Sequence, residues 1–154
     1  MKFVILLVAV IVCSGYGYER LWAKGDVLLS ELQNGRPELD IVIFQDSTNT
    51  EEVYAKVREN QRVTGDVQAY LDKISPNGDK PFPGKIWFSI VDAVDVYNQN
   101  LIYKTGVDTT ALDEGPVILS IYQGRGYRQD GPEVVAALRD SVDRLRLIAS
   151  PTRQ

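Results

Sequence analysis

Along the chain, short continuous apolar runs alternate with stretches whose apolar residues recur three and four positions apart. Asp40 to Gln45 (DIVIFQ), Lys85 to Val91 (KIWFSIV) and Val117 to Gln123 (VILSIYQ) are runs of the first kind, rich in β-branched and aromatic residues. They predict strands, and the first, apolar without alternation, predicts one buried on both faces in the middle of a sheet. Gly124-Arg125-Gly126 predicts a turn into a fourth strand, Tyr127 to Gln129. Trp87 and Phe88 are expected in the core.

Helical spacing occupies the intervals. Glu19 to Leu32 carries a stripe of Leu21, Trp22, Leu28, Leu29 and Leu32, weakened by Gly25, and Asn34-Gly35-Arg36-Pro37 stops it. A second helix opens at Asp46 to Glu51, where Thr48 and Glu51 have capping-box spacing and Ser47 is an alternative cap. Its apolar positions are Val53, Val57, Val67, Leu71 and Ile74, with a polar middle of Asn60, Gln61 and Thr64 beside Gly65. That gap predicts one long kinked helix or two shorter ones, ending at Ser75-Pro76-Asn77-Gly78. Asn98 to Lys104 predicts a short helix ending at Thr105-Gly106-Val107. The last helix has Pro132 at its first position, Asp130 and Glu133 at capping-box spacing, and a face of Val134, Val135, Leu138, Val142, Leu145 and Ile148.

The predicted order is therefore α-β-α-β-(α)-β-β-α. A helical crossover makes the first two strands parallel, and a tight turn makes the last two antiparallel. An α/β fold with a mixed central sheet flanked by helices buries all of these faces.

The N-terminus changes the picture of where such a domain would work. Met1-Lys2 precedes a run of apolar residues from Phe3 to Cys13, then Ser14-Gly15-Tyr16-Gly17. This is the layout of a secretory signal peptide, with cleavage after Gly15 or Gly17. Extended by Tyr16, Tyr18, Leu21 and Trp22, the same hydrophobic helix also suits an uncleaved anchor. Both readings stay open. The chain then divides into 1–17, signal peptide or N-terminal membrane anchor; 18–37, a helical lead-in; 38–149, the α/β domain; and 150–154, a tail.

Composition removes whole classes of chemistry. Cys13, within the leader, is the single cysteine, and there is no histidine. Beyond residue 17 there is thus no internal disulfide, thiolate metal site, cysteine nucleophile, Ser-His-acid triad or histidine-based zinc site. The 17 basic side chains are scattered among 21 acidic ones, so no basic face is set aside for nucleic acid. No cofactor and no resident metal are expected.

The order of elements and several local spacings resemble the thioredoxin-like family. Gly115-Pro116-Val117 through Gly124 is similar to the segment in which a cis-proline begins a strand that ends at a turn glycine. Asp92 to Val107, with Asn98, Asn100, Leu101, Tyr103 and Gly106, resembles the segment and short helix before that proline, and Gly131 to Leu145 resembles the closing helix. The likeness covers roughly residues 38–148. It implies a thioredoxin-like domain over 38–149, a cis Pro116 and an extended-peptide groove between Ser47-Thr48 and Gly115-Pro116. Two departures stand out. Asp46-Ser47-Thr48-Asn49-Thr50-Glu51 occupies the place of the family's Cys-x-x-Cys pair, so a redox-inactive member is expected. Asp108 to Glu114 is longer than the family's connection, which implies a reshaped or covered groove.

The candidate binding residues are accordingly Ser47, Thr48, Gly115 and Pro116, with Arg125, Tyr127 and Arg128 on the edge hairpin as residues suited to an interface. Ser47, Thr48 and Thr50 as nucleophiles would need Lys56 or Glu51 as base, and helix capping is the stronger reading. Asp108, Asp113 and Glu114, with Asp92 and Asp95, lack calcium-loop spacing and read as solvated charge. No catalytic residue is expected. The expectation is a non-catalytic protein-binding or structural module, an accessory subunit of a multi-subunit membrane complex tethered on the non-cytosolic side. The alternative is a soluble lumenal or secreted chaperone-like binder. A glutathione-transferase-like enzyme is the remote alternative, for which 154 residues leave no room for the second helical domain.

Overall fold

The computed structural model describes residues 17–150. The leader expectation falls on residues outside this range, apart from Gly17, as does most of the tail. Among the described residues no helix is long and apolar enough to cross a membrane.

Strands β1 (Glu19–Arg20), β2 (Leu39–Gln45), β3 (Ile86–Asp92), β4 (Val117–Tyr122) and β5 (Arg125–Gln129) form one sheet in the order β1-β3-β2-β4-β5. β3 runs parallel to β1 and β2, while β4 is antiparallel to β2 and β5. The helices are α1 (Gly25–Gln33), α2 (Tyr54–Ile74), α3 (Gln99–Thr105) and α4 (Val134–Ala149), with 3-10 turns at Glu51–Val53, Val96–Asn98 and Ala111–Asp113. The mixed sheet and both strand-direction expectations hold.

β2 is central because it has no polar face to offer water: its first six residues are buried. Alternate residues feed two cores. Ile41, Ile43, Phe88 and Ile118 pack with Val67 and Leu71 of α2 and with Leu138, Val142 and Leu145 of α4. Val42, Phe44, Val91 and Val117 pack with Leu28 and Leu32 of α1 and Leu101 and Ile102 of α3. Burial of this kind is worth about 1.5–3 kcal/mol for each large side chain.

Several local expectations are corrected. Glu19 and Arg20 are a strand, not helix, because β3 leaves an edge for them; α1 begins only at Gly25. Gly25 takes φ +57, and a Cβ there would lie 2.5 Å from the Tyr97 carbonyl oxygen, so the glycine serves a close approach at the helix start. α2 is one unbroken helix through its polar middle. No side chain caps it or its preceding 3-10 turn, and α4 begins at Val134 with no side-chain cap either. The hairpin turn is Gln123-Gly124, with φ of 50 and 75, and Arg125 already pairs with Tyr122. Two successive positive φ values match the twist of the flanking strands. Trp87 is half-buried and donates its indole N–H to Glu38 at 2.6 Å. Trp22 is 79% exposed, with the Arg20 guanidinium 4.4 Å from its ring centre.

Candidate functional site

β2 and β3 end where β4 begins, and this end of the sheet gathers the residues singled out from the sequence. Phe44 pairs with Val117 and Gln45 with Asp92, so the Asp46–Glu51 loop, the turn after β3 and Pro116 are neighbours. Asn98 braces them. Its buried side chain donates to the Asp92 carbonyl at 3.0 Å and accepts the Gly25 N–H at 2.9 Å.

The loop after β2 is tied to the domain through its polar groups. The Asp46 carboxylate accepts the Thr48 N–H at 2.9 Å and is ion-paired with Lys56 at 3.2 Å. Hydrogen bonding from Thr48, then Lys56, holds this carboxyl below the ordinary aspartate range. Lys56 is only 6% exposed, a buried cation with its counter-charge in place. Ser47 donates its N–H at 3.2 Å and its hydroxyl at 2.5 Å to the Asp92 carboxylate. Asn60 donates to the Asp46 carbonyl at 3.0 Å. Ser47 and Thr48 therefore bind the domain's own carboxylates rather than cap α2. Lys56, one of the two bases considered for a hydroxyl nucleophile, is engaged with Asp46.

Gly115 and Pro116 lie at the same end, but a side chain stands over them. A Cβ on Gly115 would come within 2.9 Å of Glu59 Cγ. Glu59 in turn accepts from Arg62 at 2.6 Å, which lowers its pKa. Pro116 is buried, and no peptide bond among the described residues is cis, which corrects the cis expectation. Residues 108–114 reach β4 through the 3-10 turn at Ala111–Asp113, with Leu112 buried. The longer approach removes the need for a sharp reversal at the proline.

The structure thus divides the expected groove. Ser47 lines one cleft of about 430 Å³ beside α2. Gly115 lines another of about 490 Å³, with Glu59, Glu114, Asp130 and Pro132 around it. The hairpin residues do not join either. Arg125 and Arg128 are exposed, Arg128 donates to the Thr105 carbonyl at 3.1 Å, and Tyr127 packs on the core under the Arg144 guanidinium. Among the described residues no three His, Cys, Asp or Glu side chains are grouped to hold a metal ion.

No family model matches the chain, and no curated protein matches it. Solved structures do match. A thioredoxin from Trypanosoma brucei brucei superposes with a TM-score of 0.55 at 11% identity, covering 86% of this chain and 94% of that one. The fold is thioredoxin-like. A Malassezia sympodialis thioredoxin gives 0.54 at 12% identity, over 84% and 90% of the two chains. The first thioredoxin domain of mouse protein disulfide-isomerase A4 gives 0.52 at 14%, over 90% and 79%. Identities this low carry the fold and nothing of the function.

Sequence reasoning missed Asn60, part of the thioredoxin-like domain's loop network, and did not give Lys56 its partner. Asn60 sits in the polar stretch of α2 that read only as a weak point in a helix, and Lys56 lies ahead of it, between Val53 and Val57. A lysine at an inward position is legible as unusual, but its partner Asp46 is not.

Proposed function

We propose that this thioredoxin-like domain is a non-catalytic binding or structural module, working as an accessory subunit of a membrane-associated complex. The observation that carries the reading is the loop after β2. Its hydroxyl, carboxylate and nearby ammonium groups are bonded to one another and to Asp92, and the chain's one cysteine, Cys13, precedes the domain. Groups already bonded within the fold stabilise the loop and leave no activated nucleophile facing solvent.

The membrane half of the proposal rests on the apolar run from Phe3 to Cys13 in the sequence. Gly17 lies against Ser75, and Tyr18 meets Phe88 edge-on at 6.3 Å. A leader retained as an anchor would then hold the Ser75 end of the domain toward the bilayer. The Ser47 end would face away, toward partners on the non-cytosolic side.

The test uses the full chain from its own source. Expected are an intact N-terminus by mass, recovery in the membrane fraction within a complex of fixed stoichiometry, and no disulfide reduction or glutathione-dependent turnover. A mass beginning near Tyr16 or Tyr18 in the soluble fraction would replace the subunit reading with a free, chaperone-like binder. Turnover with either thiol substrate would overturn the non-catalytic reading.

A further inference from the structure

The bonded loop after β2 borders a cleft whose polar groups are not bonded. α2 forms one wall and Ile90 of β3 the other, around about 430 Å³. No charged side chain lines it. Gln45, Asn49, Gln61 and Gln68 do, and their side chains make no hydrogen bond to another described residue. Asn60 lines it as well. Its Nδ2 is engaged with the Asp46 carbonyl, which leaves Oδ1 buried and without a partner on a residue only 7% exposed. An acceptor held out of water with no donor is costly, and a donor arriving in the cleft removes that cost.

Trp22 is a second, independent observation. Arg20 pairs with Phe88, the Leu21 N–H bonds the Phe88 carbonyl, and the Gly25 N–H reaches Asn98, which itself bonds the Asp92 carbonyl. Residues 21–25 thus run beside β3 from the Phe88 level to the Asp92 level. Leu21 and Ala23 pack with the α1–α3 core. Trp22, between them, turns to the opposite face, the one on which Ile90 packs. Its ring is 79% exposed there, with the Arg20 guanidinium 4.4 Å from its centre and 5.3 Å from that of Phe88. The cation stacks on both rings and holds the indole at the Ile90 rim of the cleft. Core packing does not account for a tryptophan braced in the open; a ligand face does.

Gly65 shapes the space between them. It sits inside α2 without a positive φ, and a Cβ there would meet nothing within 4 Å. Glycine is the least favourable helix residue after proline, and no neighbour in the fold requires it; its effect is to deepen the cleft. The volume falls within the range of small-molecule sites, roughly 300–1,000 Å³. Hydroxyl groups donate and accept as the amides do, and the C–H face of a sugar ring is apolar, as the exposed face of an indole is.

We infer that this cleft binds a neutral sugar, its hydroxyls held by the amides along α2 and its C–H face laid on Trp22. A sugar hydroxyl supplies the donor that the Asn60 Oδ1 lacks. A cationic ligand would find no carboxylate in the lining, and an anionic one would find no cation there, since Arg20 is turned to the two rings. The inference goes beyond the reading of a module held in a complex and does not depend on it.

The test applies the full chain, in a detergent without a sugar headgroup, to an array of immobilised neutral, sialylated and sulfated glycans. Bound glycans are then titrated in solution against Trp87→Phe, which leaves Trp22 as the one tryptophan. The expected result is binding of neutral glycans with a saturable change in Trp22 emission, and at least tenfold weaker binding on the array for Trp22→Ala and for Gly65→Leu. The double variant Gln61→Ala, Gln68→Ala gives the same loss without touching the ring or the glycine, and Asp130→Asn beside the other cleft leaves binding unchanged. Thermal unfolding checks that each variant folds. Titration with one, two and four sugars separates a free sugar, bound as the monosaccharide, from one borne by a partner, bound only within a longer glycan; either result carries the inference. No glycan bound, charged glycans bound alone, or binding that survives Trp22→Ala or Gly65→Leu overturns it. None of these outcomes bears on the complex or on thiol turnover, which are read separately.

Discussion

Asp40 offers the sharpest test of how the fold's electrostatics work. It lies on β2, 3% exposed, with Arg36 donating to its carboxylate at 2.8 Å. Arg36 also pairs with Glu31 at 2.8 Å and Glu38 at 2.9 Å, and its guanidinium lies 5.2 Å from the Trp87 ring centre. Burial outweighs the arginine and raises the Asp40 pKa from 3.8 to about 6, with Glu38 and Glu31 adding to the rise. A carboxyl with a raised folded pKa holds its proton more tightly folded than unfolded. Its contribution is therefore fully present below the unfolded value of 3.8 and disappears as the pH climbs through about 6. At about 1.36 kcal/mol per pH unit, the full span is about 3 kcal/mol, of which roughly 2.4 kcal/mol falls between pH 4 and pH 7.5. Asp40→Asn keeps the shape and cannot titrate. Urea unfolding of both proteins across that range, followed by tryptophan fluorescence and far-ultraviolet circular dichroism, isolates the term from every other group. The wild type should lose roughly 2.4 kcal/mol relative to Asp40→Asn as the pH rises, or about 8 °C in relative Tm. Parallel curves would show that Arg36 fully offsets the burial. A wild type gaining on the variant with rising pH would show that the ion pair wins.

The other predictions concern single contacts. Gly65→Ala should raise stability by about 1 kcal/mol in thermal unfolding, since the methyl enters open space on a helix; destabilisation would refute the open-cleft geometry. Gly25→Ala should cost about 2 kcal/mol or more, from the positive φ and the approach of the Tyr97 carbonyl; a neutral result in the same assay would show that the close approach relaxes without cost. Asp46→Asn keeps an acceptor for the Thr48 N–H but strips the charge facing buried Lys56, and should cost about 1–3 kcal/mol. Leu138→Ala should cost about 2–5 kcal/mol, because α4 closes the larger core at this fully buried side chain.

What was legible in the sequence is what depends on local periodicity. The run from Asp40 to Gln45 announces a central strand because its apolar residues follow one another without alternation, and the face from Val134 to Leu145 announces a helix because its spacing matches 3.6 residues per turn. Glu19–Arg20 could not be read as a strand. Two residues have no period, and they are extended only because β3 presents an edge. The capping expectations failed for a related reason. Thr48 and Ser47 have the right spacing for caps, but the Thr48 N–H goes to Asp46, and the Ser47 N–H and hydroxyl go to Asp92, 45 residues away in the sequence.

By itself, the sequence determined the order of elements from β2 onward, the sheet's central strand and the absence of histidine or a cysteine pair, since composition and periodicity do not depend on folding. Tertiary structure alone decided that Glu59 covers Gly115, that Lys56 meets Asp46, and that Gly65 opens a neutral cleft against Ile90. Those facts depend on which distant residues the crossovers bring together, and a one-dimensional pattern carries no such distances.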